Sequence, residues 1–456
     1  MAQDGGVGSM SEAKVSLRDR LIGVAPVGSA NERAARMAAS NTADASAVLR
    51  VSAQPLSEYS ATNAWNQNYN TSNPGNQNNN NKTNNNRVRA VRRSEAPSCN
   101  VTVEELFQAY FDCRTRKRNT ANALRFEARL ERNLMDLYHR LHAGDYAPGR
   151  SLCFVVLHPK PREIWAADFR DRIIHHLLYN RISARFYRAF SAGSCACIPG
   201  RGTLYAVGRL EHHLRSATRN WSVPQWALQM DVANFFVSID KDILDGLLAA
   251  RIDDAYTLHL ARTLLHHDPT RDVHVRSTAA LMRRIPPHKS LFNAGGGGLP
   301  IGNLTSQFFA NVYLDPLDRH IEHDMGLRHY VRYVDDLVIL GPDGGALHDA
   351  SILIDQFAEE RLKVRFHPRK TSIQRAEQGI NFVGYIARPH ARYLRRRSVA
   401  HAMRKLAVGT PNPRQTLNSY LGLLRHTDGW RQRQRLARLA ARHGIFINSA
   451  LEKVRS

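Results

Sequence analysis

The segment Tyr330-Val331-Arg332-Tyr333-Val334-Asp335-Asp336-Leu337-Val338-Ile339-Leu340 constrains this chain more than any other. Two β-rich runs meet at adjacent aspartates, a pattern that predicts a tight hairpin, and Asp tolerates the backbone angles of such a turn. The flanking runs are so apolar that the hairpin must be packed on both sides. Two carboxylates at its tip then repel each other unless a cation lies between them. A third carboxylate has a similar setting: Asp231 ends the strand-like run Trp226 to Met230 and is followed by Val232-Ala233-Asn234-Phe235-Phe236. If strand and hairpin are neighbours in one sheet, Asp231 and Asp335 can jointly hold two divalent ions at the ~3.5–4 Å separation used in two-metal phosphoryl transfer. Taken singly, an Asp-Asp pair is more often a solvated turn and a strand-end Asp a helix cap. Their joint occurrence in apolar surroundings favours catalysis.

The remaining sequence says what such a site would serve. The 456 residues carry 64 Lys+Arg against 40 Asp+Glu, a formal net charge of +24, while 43% are hydrophobic. This excludes a wholly disordered basic tail and makes a polyanion the first partner to consider, with an anionic membrane surface second. No apolar run approaches the ~20 residues of a spanning helix and no secretory block opens the chain, so a soluble, cytoplasmic protein without a membrane partner is expected. Cys99, Cys113, Cys153, Cys195 and Cys197 are too few and scattered for a disulfide framework and read as buried free thiols. Residues 1–97 hold little to anchor a core, and from Asn63 to Asn86 about half the positions are asparagine, so a disordered extension is expected. From Val101 onward, helical periodicities (Leu124, Phe126, Leu130, Leu134, Leu137, Leu141) mix with strand runs and a hairpin rather than regular βαβ alternation, which predicts an α+β fold. Between Arg388 and Ser456 there are 16 Lys+Arg and 2 Asp+Glu, so 14 of the net +24 lies in this last, helical piece.

Tyr333-Val334-Asp335-Asp336 resembles the YxDD box of reverse transcriptases, and Asp231 with Phe236 five positions on resembles their first palm motif. The likeness runs from about Val101 to the C-terminus and implies a right-hand polymerase core of fingers, palm and helical thumb. Catalytic and metal-holding roles would then fall to Asp231, Asp335 and Asp336, with two Mg²⁺ ions, for which Mn²⁺ could substitute. His158 to Arg172 resembles the fingers segment in which a Lys and an Arg meet the incoming triphosphate. Lys160 and Arg162 also alternate along an expected strand edge and would face one side, as a polyphosphate requires. Phe236 stands where the family excludes a 2′-hydroxyl, and Lys370 resembles its lysine near the leaving pyrophosphate. Arg170, Ile301, Gly302, Ser306 and Gln307 are the implied template and primer contacts, and Ile380 to Tyr385 looks like the primer-grip turn.

One segment departs from most of the family. In Gly298-Leu299-Pro300-Ile301-Gly302-Asn303-Leu304-Thr305-Ser306-Gln307, Ile301 stands where Gln usually precedes the glycine and Gln307 where Pro usually follows the serine. This pattern resembles the enzymes of diversity-generating retroelements, related to group II intron and retron reverse transcriptases. Such enzymes copy a template RNA with errors at adenines and act with a small basic accessory protein. The asparagine-rich stretch, about 60 to 93, resembles a template repeat translated in frame. The expected domains are an extension (1–97), fingers and N-terminal helices (98–225), palm (226–393) and basic thumb (394–456). Their substrates would be template RNA, a DNA primer or RNA–DNA heteroduplex, and dNTPs. A retron, defence-associated or group II intron type reverse transcriptase, or a non-catalytic RNA-binding protein, are the rival readings.

Overall fold

The computed structural model describes residues 97–115, 120–157, 160–409, 412–442 and 444, with two strands further upstream. Two units divide the chain: Met1–Ala96 with Asn100–Gln108, and Pro97–Cys99 with Ala109–Ser456. In the first, β1 (Asn63–Gln67) pairs antiparallel with β2 (Gln77–Asn81). These ten asparagine-rich residues are extended and paired where composition predicted no fold, because a strand pair can be built from backbone donors and acceptors alone. The rest of the expected extension up to residue 96 lies outside the described residues, as do residues 445–456 of the expected thumb.

The strands that follow are β3 (Ser151–Val156), β4 (Arg162–Ala166), β5 (Trp226–Asp231), β6 (Val273–Val275), β7 (Tyr330–Tyr333), β8 (Asp336–Gly341), β9 (Ser372–Arg375), β10 (Ile380–Phe382), β11 (Tyr385–Arg388) and β12 (Ala391–Leu394). The helices of twelve residues or more are α1 (Val103–Arg114), α2 (Leu130–Ala143), α3 (Phe169–Ala189), α4 (Thr203–Ala217), α5 (Ala255–His266), α6 (Leu304–Arg319), α7 (Gly344–Leu362), α8 (Arg396–Val408), α9 (Pro413–Leu424) and α10 (Trp430–Arg442). This is the expected α+β layout. Three small sheets run β7-β8-β5-β9, β4-β3-β6 and β10-β11-β12, and each strand-to-strand pairing among the described residues is antiparallel except that of β3 with β6.

The four-stranded sheet is buried on both faces, as its apolar runs require. Ala227, Val331, Val338 and Leu340 pack on Ala206, Leu210 and Leu214 of α4. Residues of the opposite parity face α7: a Cβ at Gly341 would touch Leu347, and one at Gly344 would touch the Trp226 ring. C-terminal to the sheets, α8, α9 and α10 bury Leu406, Leu417, Leu421, Leu424, Leu436 and Ala440 in a second core, which Val207 of α4, Tyr385 of β11 and Leu394 of β12 join. Arg431, Arg435, Arg438 and Arg442 recur at helical spacing along α10 and are exposed. None of the helices among the described residues is long and apolar enough to cross a membrane.

Candidate active site

Asp231 closes β5 and Asp336 opens β8, and the strand register sets them directly opposite. Tyr333 pairs with Asp336, so Val334 and Asp335 alone form the turn between β7 and β8. The Asp335 carbonyl accepts from the Val232 amide at 3.1 Å, which ties the turn to the end of β5. The three carboxylates singled out from sequence therefore meet at one end of one sheet. The turn corrects one expectation. Its left-handed residue is Val334, at φ 59, whereas neither aspartate has a positive φ.

Like charges directly opposite in a β-ladder oppose folding, and the carboxyls respond accordingly. Burial, then Asp231 and Asp335, push Asp336 up to about 7 against the countering charges of Arg395 and Lys370. Burial, then Asp231, also raise Asp335, opposed by Lys370 and Arg162. The Lys370 ammonium donates directly to Asp231 Oδ1. Lys370 and Arg162, expected beside a triphosphate, are thus within electrostatic reach of the aspartates.

Lys160 is exposed in a bend ahead of β4, which begins at Arg162. The expected strand alternation therefore does not extend to Lys160. Phe236 is half-buried on the single helical turn Phe235–Ser238, entered through Asn234 at φ 51. Its carbonyl accepts from the Leu299 amide at 2.7 Å. Two residues further on, the Ile301 carbonyl accepts from the Trp165 amide of β4, also at 2.7 Å. The loop from Gly298 to Gly302 thus joins Phe236 to the strand that carries Arg162.

Gly302 fits this loop because it lies so close to β4: at φ 139, an added Cβ would meet the Trp165 carbonyl oxygen at 2.3 Å. Ile301 is half-buried and Ser306 is 2% exposed. Gln307 reaches the surface, where its amide oxygen accepts the Cys197 thiol at 3.7 Å. Cys197 is itself exposed, contrary to the expectation of buried thiols; Cys113, Cys153 and Cys195 are buried and Cys99 half-buried. Arg170 is engaged within the protein, donating to Asp171 Oδ1 at 3.0 Å and to the Ala147 carbonyl at 2.9 Å, with its guanidinium over the Tyr146 ring.

Sequence reasoning missed two arginines. Arg395 donates to Asn381 Oδ1 at 2.6 Å, and the Asn381 carbonyl accepts from Gln229 at 2.9 Å, so the Ile380–Tyr385 turn is bound beside the aspartates. Nothing in a basic run distinguished Arg395 from its neighbours. Arg332 had a signal, being a charge inside an apolar strand, but its partner Asp318 lies on α6 and only folding reveals the pair.

The three carboxylates are not drawn around one point, since no three His, Cys, Asp or Glu side chains among the described residues form a ready ligand set. The donor chemistry nonetheless fits a hard divalent cation: oxygen ligands only, two with raised affinity for positive charge, and an ammonium already attracted to the third. The family model for reverse transcriptase (RNA-dependent DNA polymerase) matches residues 158–387, half of the chain, and this span includes all three aspartates. The chain belongs to the reverse transcriptase family.

The chain is 25% identical over 179 residues to an uncharacterized 91 kDa protein in the cob intron of Schizosaccharomyces pombe. The match covers 39% of this chain and 19% of that protein, so the chain aligns with about a fifth of its curated relative. Among solved structures, telomerase from Candida albicans in complex with a fragment of telomeric RNA is similar at TM-score 0.43 and 12% identity, over 65% of this chain and 54% of that one. Apo telomerase from Candida tropicalis gives TM-score 0.38 and 11% identity over 55% and 56%.

Proposed function

We propose that the chain is an RNA-directed DNA polymerase with fingers at 98–225, palm at 226–393 and thumb at 394–456. The observation that carries this reading is the register setting Asp231 opposite Asp336, with Asp335 on the adjoining turn. Asp231, Asp335 and Asp336 would hold two Mg²⁺ ions, Mn²⁺ substituting. When bound, such ions make a primer 3′-hydroxyl a better nucleophile and neutralise a leaving pyrophosphate. Arg162, Lys160 and Lys370 hold the triphosphate of the incoming dNTP. Phe236, its backbone fixed by Leu299, closes the sugar pocket to a 2′-hydroxyl. The exposed arginines of α10 contact the phosphates of template and primer, so binding weakens steeply with salt. Gly302 and Ser306 support this groove as close-packed backbone and buried side chain, while Ile301, Gln307 and Arg170 border it.

The finer reading is that of a diversity-generating retroelement enzyme, making errors at adenines with a small basic accessory protein. Ile301 and Gln307 support it: Ile301 lacks the amide that could hydrogen-bond near the nascent pair, which suits relaxed selection. An intron-type reverse transcriptase is the second reading, favoured by the intron location of the S. pombe relative. The two separate on the DNA flanking the gene, where a near-duplicate of the sequence encoding residues 60–93, differing mainly at adenines, is required by the first and not by the second. The enzymatic reading is tested with Asp335→Ala. cDNA synthesis on a primed RNA falls to background while RNA affinity is kept; surviving synthesis would show that the mechanism assigned to these aspartates is wrong.

A further inference from the structure

Val334 stands in a conformation that a β-branched residue adopts only under constraint, at a cost of about 1–2 kcal/mol. Something must hold it; beside the Tyr333–Asp336 ladder pair, the Val232 amide donates to the Asp335 carbonyl. The other carbonyl of the turn, that of Val334, accepts from Arg332 Nη1 at 2.8 Å.

Arg332 is 1% exposed, and each of its five N–H groups has a partner. Nε and Nη2 form a fork on the two oxygens of Asp318, itself fully buried. Nη2 also donates to Ser194 Oγ at 3.1 Å, and Nη1 divides its hydrogens between Asn311 Oδ1 at 3.3 Å and the Val334 carbonyl. The Arg332 main chain is held as well, its amide on the Gly193 carbonyl and its carbonyl on the Cys195 amide. A buried ion pair gains little stability over apolar residues of the same volume, so its stability contribution alone is a weak reason for its presence. What it does supply is a rigid link from α6 and the 193–195 loop to one peptide of the strained turn.

We propose that Arg332 is a positioning residue for polymerisation, acting through the Val334 carbonyl to hold the turn and so the Asp335 carboxylate against Asp231. This rests on the catalytic reading of the aspartates. A lysine could still meet Asp318 but lacks the planar fork that serves Asp318, Ser194, Asn311 and Val334 together. Glycine at 334 would enter the left-handed region without strain and make the link less necessary.

The test compares Arg332→Lys, Val334→Gly and the double variant by primer extension on RNA, reading kcat, the KM for dNTP and primed-template affinity, with Asp335→Ala alongside. Arg332→Lys should lower kcat ten- to a hundredfold and leave template affinity within about twofold. Adding Val334→Gly should restore at least a third of the wild-type kcat, which a general folding defect would not permit. If Arg332→Lys does not fold, Asp318→Asn, which loosens the same fork, takes its place with the same rescue expected. Wild-type kcat in the arginine variant, or a loss that Val334→Gly leaves unchanged, overturns the proposal. Activity in Asp335→Ala instead overturns the reading of the site beneath it.

Discussion

Replacing Gly302 by alanine tests whether the loop from Gly298 to Gly302 sets the position of the strand that carries Arg162. The new Cβ would lie 2.3 Å from the Trp165 carbonyl oxygen and 3.1 Å from Ile164 Cγ2. The first contact is with backbone, which has no rotamer to escape into, and alanine at φ 139 is strained even without it. Strain of about 1–2 kcal/mol adds to the loss of the buried bond from the Trp165 amide to the Ile301 carbonyl, worth about 1–2 kcal/mol. The total of about 3 kcal/mol lowers Tm by roughly 4 °C in a unit of this size. β4 cannot yield by itself, because Glu163 is tied to Ser290 and Leu291, so the loop and the strand part company. Arg162 is on that strand, and the KM for dNTP should rise about tenfold, equivalent to ~1.4 kcal/mol of lost binding. Differential scanning fluorimetry and steady-state primer extension read the two effects. A Tm within 2 °C of wild type with unchanged KM would show that the loop and β4 are not coupled as described.

His213 is buried, and burial together with Arg209, His329 and His212 pushes its imidazole down to about 4. A base with a depressed folded pKa stabilises above its unfolded value of about 6.5 and loses that contribution as pH falls toward 4; about 2 kcal/mol is gone by pH 5. His213→Gln should therefore lose less Tm than wild type between pH 7.5 and 5, and equal losses in thermal melts would refute the assignment. Phe236→Ala should raise ribonucleotide incorporation relative to deoxynucleotide about tenfold or more in a competition assay. An unchanged ratio would reduce Phe236 to a packing residue.

The candidate site was legible in the sequence because its residues lie in short local patterns. A hairpin of two apolar runs can only be buried, and acidic residues at its tip carry their meaning with them, so Asp231, Asp335 and Asp336 were recognisable before any contact was known. Val334 shows the limit of such reading. A turn of sequence Val-Asp gives no sign of which residue takes the positive φ, and composition rules favour the aspartate; the register of β7 against β8 assigns it to the valine. Gly302 was noticed as part of a motif, but its reason, a carbonyl on another sheet, came only with the packing. Arg170 was expected at the template, and the fold gives its guanidinium to Asp171 and Ala147.

By itself the sequence determined the α+β class, the three carboxylates and the concentration of positive charge in the last helices, since periodicity, residue chemistry and charge are properties of neighbours along the chain. Tertiary structure alone decided which carboxylates face each other, which cation sits on Asp231, and that Arg332, anchored on Asp318 fourteen residues away, donates to the Val334 carbonyl of the turn. These depend on register and burial. Both arise from packing residues distant in sequence, where a bond or a shared dielectric has no counterpart in local pattern.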